Sequence, residues 1–285
     1  MEYNTSIYQV HCPVIQVARI GMPLGVAAYS GWLTNTAYET VLSNYQQITP
    51  EVEGGWWWVY GDNPHGWGGM DRLAEYARAY GMEVFYHCLR WCWGAQPPDP
   101  EAWIVEAMTR YPSIYAWVVV NEGYNCWNGT ETIPMIEDSY RIARMVKPAA
   151  QLWYNGLLFN PVEWEPVKAL ISAGLVDSVG IQMHHDLDET LDQYAPFVEW
   201  LVANRVPWAV TELDVIIPNV LPETLQRQAG RYREVAQFCL DYGAEFLAMW
   251  GVSDANSWQY EYYPLPFGRD YSPKPAWAAV QNVLR

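Results

Sequence analysis

The chain has 285 residues, enough for a single α/β barrel of about 250 residues with a large core. Its 16 basic and 32 acidic residues give a net charge of −16. This charge argues against nucleic acids and anionic membranes as partners, because both require clusters of Lys and Arg. No run of 18 apolar residues occurs, so no transmembrane helix is predicted. Trp and Tyr supply most of the aromatic residues, which a large core explains in part.

Seven short apolar segments predict β-strands, in chain order. They are Leu24–Tyr29, Glu83–Leu89, Tyr115–Asn121, Leu152–Tyr154, Ser178–Met183, Trp208–Leu213 and Phe246–Val252. Gln46–Thr49 is a weaker candidate that would bring the count to eight. Several of these segments are apolar throughout, which is typical of parallel strands that are covered on both faces.

Helical patterns separate the predicted strands. Two stripes with alternating steps of four and three residues predict amphipathic helices: Leu187, Leu191, Tyr194, Val198, Leu201 and Leu225, Ala229, Tyr232, Ala236, Cys239. Asp186 and Glu189 resemble an acidic capping box before the first stripe. Further helices are expected near Asp71–Tyr80, Pro100–Arg110, Ile133–Val146, Pro161–Ala173 and Pro275–Leu284.

Strands that alternate with helices predict an α/β fold, a single (β/α)8 TIM barrel. We expect one domain over residues 1–285, with 1–22 as an N-terminal extension before the first strand. The alternative is an open doubly wound sheet, but no GxGxxG or P-loop sequence follows a predicted strand.

In a TIM barrel, functional residues lie where the strands end. The predicted strand ends carry carboxylates, histidines, amides and tryptophans, namely Asn121, Glu122, Gln182, His184, Glu212, Asp214, His87, Trp91, Trp250 and Trp258. Two carboxylates that face each other suit glycosidic bond cleavage, in which one is protonated and the other is ionised. A solvated loop charge would be the ordinary interpretation of one such glutamate, but two among tryptophans favour a site.

The strand-end segments resemble glycoside hydrolase family 10, the retaining β-1,4-xylanase family. The matching segments are ITPE (48–51), HCLRW (87–91), VVNE (119–122), WYN (153–155), GIQMH (180–184), VTELD (210–214), WGVSDANSW (250–258) and YSPKPAW (271–277). Each segment alone is weak, but their order and spacing are specific. The resemblance covers most of the chain, from about 24 to 280.

The resemblance implies a role for each matching residue. Glu122 would be the acid/base and Glu212 the nucleophile. His184 would hydrogen-bond the nucleophile, and Asp214 would orient that histidine. Residues implied to bind or line the substrate are Glu51, His87, Trp91, Asn121, Gln182, Trp250 and Trp258.

The chain departs from the family pattern beside Glu51. Family members have Glu-Asn-Glu-Met-Lys-Trp there, whereas this chain has Val52 in place of the asparagine and Gly55 in place of the lysine. Both are usual contacts to the second glycone sugar, so we expect a weaker subsite there. Leu157 replaces an aglycone-side tyrosine.

The cysteines, His185 and the tryptophans at 56–58 allow other interpretations. A metal site at Cys88, Cys92 and Cys126 is disfavoured because their spacing is not that of a zinc site, and buried free thiols are the preferred interpretation. His185 is interpreted as a loop residue. Trp56, Trp57 and Trp58 could pack beneath the barrel or offer stacking surfaces to a sugar.

These observations predict an endo-β-1,4-xylanase that cleaves internal bonds of xylan by double displacement, without a cofactor. The alternatives are a hydrolase of another or decorated β-linked glycan or oligosaccharide, and a non-catalytic carbohydrate-binding barrel. We expect a monomer that binds xylan or xylo-oligosaccharides. Neither nucleic acid nor a membrane is an expected partner. We expect a secreted protein, although MEYNTSIYQV lacks the features of a signal peptide.

Overall fold

The computed structural model describes residues 21–126 and 132–284. Most of the predicted N-terminal extension, 1–20, lies outside the described residues. Eight parallel strands form the centre: β1 Leu24–Ala28, β2 Gln47–Pro50, β3 Glu83–Tyr86, β4 Ala116–Asn121, β5 Gln151–Gly156, β6 Ser178–His185, β7 Trp208–Val215 and β8 Leu247–Met249. Neighbours in the chain pair with each other, and β1 pairs with β8. This last pairing closes the sheet into a barrel, so the predicted (β/α)8 fold is confirmed.

Helices connect the strands on the outside of the barrel. They are α1 Thr36–Leu42, α2 Trp56–Val59, α3 Gly68–Tyr80, α4 Pro100–Arg110, α5 Gly123–Cys126, α6 Thr132–Val146, α7 Pro161–Ser172, α8 Ala195–Ala203, α9 Pro222–Asp241 and α10 Pro275–Leu284. Seven of the eight strands, all except β3, are almost entirely buried, because helices cover their outer faces and neighbouring side chains fill the interior. No helix in the described part of the chain is long and apolar enough to span a membrane.

The predicted helix beginning at Leu187 is wrong in its first half. The reciprocal bonds of a capping box do form, with the Asp186 carboxylate accepting from the Glu189 N–H at 2.9 Å and the Glu189 carboxylate accepting from the Asp186 N–H at 3.2 Å. They close a turn, however, and α8 begins only at Ala195 after a 3-10 turn at Leu191–Gln193. The prediction for His185 is also wrong, because it ends strand β6 and is 1% exposed.

The predicted strand Glu83–Leu89 is shorter in the structure. Strand β3 ends at Tyr86, the His87–Cys88 peptide bond is cis, and Arg90–Trp91 then pairs in parallel with β4. His87 and Trp91 therefore follow one another along the same edge of the barrel. This edge is the carboxyl-terminal end of the strands, where TIM barrels carry their sites.

Candidate active site

The two glutamates lie at the carboxyl ends of strands β4 and β7. Glu212 is within β7 and only 3% exposed. Glu122 directly follows β4, and its φ of 55° places it in the left-handed region that non-glycine residues seldom adopt. A hydrogen bond of 2.8 Å from its N–H to the Asn155 carbonyl stabilises this conformation. The backbone thus turns sharply where the strand ends, and this turn sets the position of the carboxyl group.

Gln182 connects the two glutamates. Its Nε2 lies 3.0 Å from Oε1 of Glu122 and 3.1 Å from Oε1 of Glu212. These two oxygens cannot be farther apart than the sum of the two distances. That limit on one pair of oxygens is compatible with the carboxyl separation of about 5–5.5 Å in retaining glycosidases.

Asn155 is a site residue that sequence reasoning missed. Its side chain is fully buried, and Nδ2 donates to Oε1 of Glu212 at 2.6 Å and to Oδ1 of Asn121 at 2.7 Å. Thr211 orients this amide by donating to its Oδ1 at 2.5 Å. Asn121 in turn lies 3.2 Å from Oε1 of Glu122. A fixed amide network therefore connects both glutamates, and WYN (153–155) was its only trace in the sequence.

His184 lies between two carboxylates. Its Nε2 is 3.3 Å from Oε2 of Glu212, and its Nδ1 is 3.0 Å from Oδ2 of Asp214. Burial alone would lower the pKa of His184, but contact with Asp214 and Glu212 outweighs it and raises the pKa to about 10. The imidazole is therefore protonated at neutral pH, donates from Nε2 to Glu212 and forms an ion pair through Nδ1 with Asp214. Trp258 fixes the same Asp214 oxygen with a 2.8 Å hydrogen bond from its indole N–H.

The surroundings of Glu122 favour its protonated form. Burial raises the pKa of Glu122, and the charge of Glu212 adds to this rise. A hydrogen bond from Gln182, the nearby Trp91 indole and the positive charge of His184 act in the opposite direction without cancelling it. A carboxyl group with a raised pKa beside a carboxylate that accepts several hydrogen bonds is the pairing that a general acid and a nucleophile require.

The remaining predicted residues surround this pair. Trp250 is 9% exposed and lies edge-to-face with His87 at 5.2 Å between ring centroids. Trp258 is 55% exposed and meets His184 edge-to-face at 5.2 Å. Burial raises the pKa of Glu51 to about 7, and the charges of Glu53 and Glu212 contribute to this rise. The structure thus brings Glu51 close enough to interact electrostatically with Glu212.

The preferred interpretation of Cys92 as a free thiol is wrong, since Cys92 is disulfide-bonded. Its Sγ lies 3.2 Å from the carbonyl oxygen of Glu122, as a contact without a donated proton. Cys88 is a buried free thiol, and burial raises its pKa well above the usual value. No group of three or more potential metal ligands occurs among the described residues.

Comparison with known proteins agrees with this geometry. The sequence profile of Glycosyl hydrolase family 10 matches residues 16–283. The chain belongs to this family. It is 26% identical to endo-1,4-beta-xylanase A of Cellvibrio japonicus over 92% of this chain and 55% of that protein. It is 28% identical to a beta-1,4-xylanase of Dictyoglomus thermophilum over 86% of this chain and 84% of that protein.

A solved structure gives the same result. The endo-beta-1,4-xylanase of Gloeophyllum trabeum superposes with a TM-score of 0.81 at 26% identity, covering 92% of this family 10 chain and 96% of that one. The chain spans just over half the length of the Cellvibrio relative, so it corresponds to one part of that larger protein.

Proposed function

We propose that this family 10 chain is a retaining endo-β-1,4-xylanase, with Glu122 as acid/base and Glu212 as nucleophile. The observation that carries the proposal is the Gln182 amide, which lies within 3.1 Å of an oxygen of each glutamate. The names of the two curated relatives described above, both xylanases, support xylan as the substrate. The retained glutamates and their ordered amide network argue against a barrel that only binds carbohydrate.

In the first step, Glu122 donates its proton to the glycosidic oxygen while a carboxylate oxygen of Glu212 attacks the anomeric carbon. The glycosidic bond breaks, the aglycone leaves as an alcohol, and a glycosyl ester forms on Glu212. Asn155, Gln182 and His184 all donate toward Glu212, so the carboxylate is held in one orientation before it reacts.

In the second step, the ionised Glu122 accepts a proton from water, and the resulting hydroxyl attacks the anomeric carbon of the ester. Glu212 leaves as a carboxylate, and the sugar is released with its original anomeric configuration. Glu122 is protonated again and is ready for the next cycle. His87, Trp91, Trp250 and Trp258 are the aromatic side chains proposed to contact the substrate around this pair.

The decisive experiment follows the anomeric configuration of the product by proton NMR during hydrolysis of xylan. We expect the β-anomer to appear first and the α-anomer to follow only through mutarotation. An initial α-anomer would overturn retention. If the protein releases reducing ends from another β-glycan but none from xylan, the choice of substrate is overturned.

A decorated xylan or another β-linked glycan is the second candidate substrate. Val52 and Gly55 favour it, since neither offers the side-chain hydrogen bonds that family members have beside Glu51. Product profiles on linear xylan, arabinosylated xylan and mixed-linkage β-glucan distinguish the two candidates. A preference for linear xylan by about tenfold or more would reject the second.

We also propose a single catalytic domain that acts as a monomer outside the cell, without nucleic acid or membrane partners. The net charge of −16 supports the exclusion of polyanions. A polymeric substrate too large for uptake supports an extracellular location. Size-exclusion chromatography with light scattering tests the oligomeric state, and a dimer mass would overturn it.

A further inference from the structure

The three consecutive tryptophans of α2 point to different surroundings. Trp56 packs against the main hydrophobic core. Trp58 stacks on His65 with ring centroids 3.9 Å apart and meets Tyr29 edge-to-face. Trp57 instead packs against Trp91 at 5.3 Å and against the apolar cluster inside the barrel. Of the three, Trp57 is the one that contacts Trp91, a residue predicted to line the substrate site.

Trp57 occupies the space into which a side chain at position 55 would extend. A Cβ built on Gly55 would lie 2.2–2.4 Å from three atoms of the six-membered ring of Trp57. A Cβ built on Gly94 would lie 2.8 Å from Cε3 of the same ring. Two glycines thus form a slot for this indole, and the family's lysine could not be present together with Trp57 in this position.

Two observations place the slot near the reacting groups. Trp91, which packs against Trp57, also lies close enough to the candidate acid Glu122 to affect its pKa. Gly55 is four residues beyond Glu51, whose carboxyl group interacts with that of Glu212. The Trp57 side chain is half-buried, and its Nε1 makes no hydrogen bond to another described residue. One indole N–H and an apolar ring are therefore available to a ligand.

We propose that Trp57 contacts the second glycone sugar and replaces the missing polar side chains at positions 52 and 55 with an apolar surface and one N–H donor. This inference rests on the proposed function, because it takes the orientation of the glycan from it. The sugar bound here is a β-linked pyranose that presents its C–H face to the indole, and its hydroxyl groups contribute less to recognition than in a hydrogen-bonded subsite.

The test compares an aryl β-xyloside, which lacks a second glycone sugar, with the corresponding aryl β-xylobioside. For Trp57→Ala we expect kcat/KM on the xylobioside to fall by about tenfold or more, and that on the xyloside to change less than about twofold. Trp57→Phe should recover part of the loss. Gly55→Ala, which displaces the ring without removing it, should resemble Trp57→Ala. Trp200→Ala, on the outer helix α8, is the matched control and should leave both substrates unaffected.

Equal losses on the two substrates would overturn the proposal, since Trp57 would then act through Trp91 and Glu122. An unchanged or increased rate on the xylobioside would overturn it as well. If the native protein hydrolyses aryl glucosides and cellobiosides but no xylosides, the proposed function fails. The role of Trp57 is then decided by comparing the loss of kcat/KM for Trp57→Ala on the cellobioside with that on the glucoside. A native protein that hydrolyses neither pair overturns both.

Discussion

Gly180 lies directly beside Asn155, so that a Cβ on Gly180 would be 2.2 Å from Oδ1 of Asn155. Only a residue without a side chain leaves room on β6 for the Asn155 amide to reach Glu212 and Asn121. Gly180, the glycine of the GIQMH segment, therefore leaves space for the Asn155 amide of the neighbouring strand to extend toward Glu212. Its effect on the glutamates is indirect, through a positioning residue.

Substitution Gly180→Ala should consequently impair turnover. Because the added methyl group displaces Asn155, we expect kcat on xylan to fall by about 100-fold, with a smaller change in KM. Asn155→Ala should give a similar loss, and the double variant should be little worse than either single one, since both remove the same contact. Additive losses in the double variant would contradict a shared cause. Circular dichroism and urea unfolding of each variant provide the control for folding.

Replacement of Glu212 tests the nucleophile. Glu212→Ala should abolish xylan hydrolysis because no glycosyl ester can form, and external azide should restore turnover of an activated aryl xyloside as an azide of inverted configuration. The product is identified by NMR. Glu245→Ala, outside the candidate site, is the control and should retain activity. Substantial activity of Glu212→Ala without azide would refute the assignment.

Replacement of Glu122 tests the proton donor. Glu122→Gln should lose far more rate on xylan than on aryl xylosides with good leaving groups, because only a poor leaving group needs protonation in the first step. The raised pKa of Glu122 keeps this carboxyl protonated to higher pH than an ordinary glutamate, so the alkaline limb of the native kcat/KM profile should report its ionisation. That limb should be absent from the variant. Equal losses on both kinds of substrate would exclude Glu122 as the acid.

The barrel and the strand-end positions of Glu122 and Glu212 could be predicted from the sequence, because each depends on a local pattern. That pattern is an apolar segment followed directly by polar residues. Asn155 was missed because its role depends on the register between β5 and its neighbours, which aligns it with Asn121 and with Gly180. The slot around Trp57 depends on how two separate loops, at Gly55 and Gly94, approach each other. The helix predicted from Leu187 was wrong because the Asp186–Glu189 bonds also fit a turn.

A buried carboxyl outside the candidate site should make stability depend on pH. Glu163, 2% exposed on α7, has its pKa raised from 4.5 to about 7, chiefly by burial. The folded state binds this proton more tightly than the unfolded state, so the stabilising contribution is complete below about pH 4.5 and is lost as pH rises through about 7.

Glu163→Gln should therefore match the native protein at pH 4.5 and exceed its unfolding free energy at pH 8 by up to about 3 kcal/mol. Urea unfolding at the two pH values measures this difference. Glu165→Gln, on the exposed side of the same helix, is the control and should show no such dependence. A difference between native and Glu163→Gln that is the same at both pH values would disprove the explanation.

The altered glycone side should make the enzyme depend on long substrates. Val52 offers no side-chain hydrogen bond, and a neutral hydrogen bond is worth about 0.5–1.5 kcal/mol, so binding of the second glycone sugar is expected to be weak. Binding energy from remote sugars also drives turnover, and kcat/KM should accordingly rise steeply from xylobiose and xylotriose to xylohexaose. Val52→Asn should raise the values for the short substrates and flatten the series. Gly55→Lys should not, because its side chain would collide with Trp57. Chromatographic product analysis across the series measures both effects, and equal efficiency on xylotriose and xylohexaose, unaffected by Val52→Asn, would show that this subsite is unimpaired.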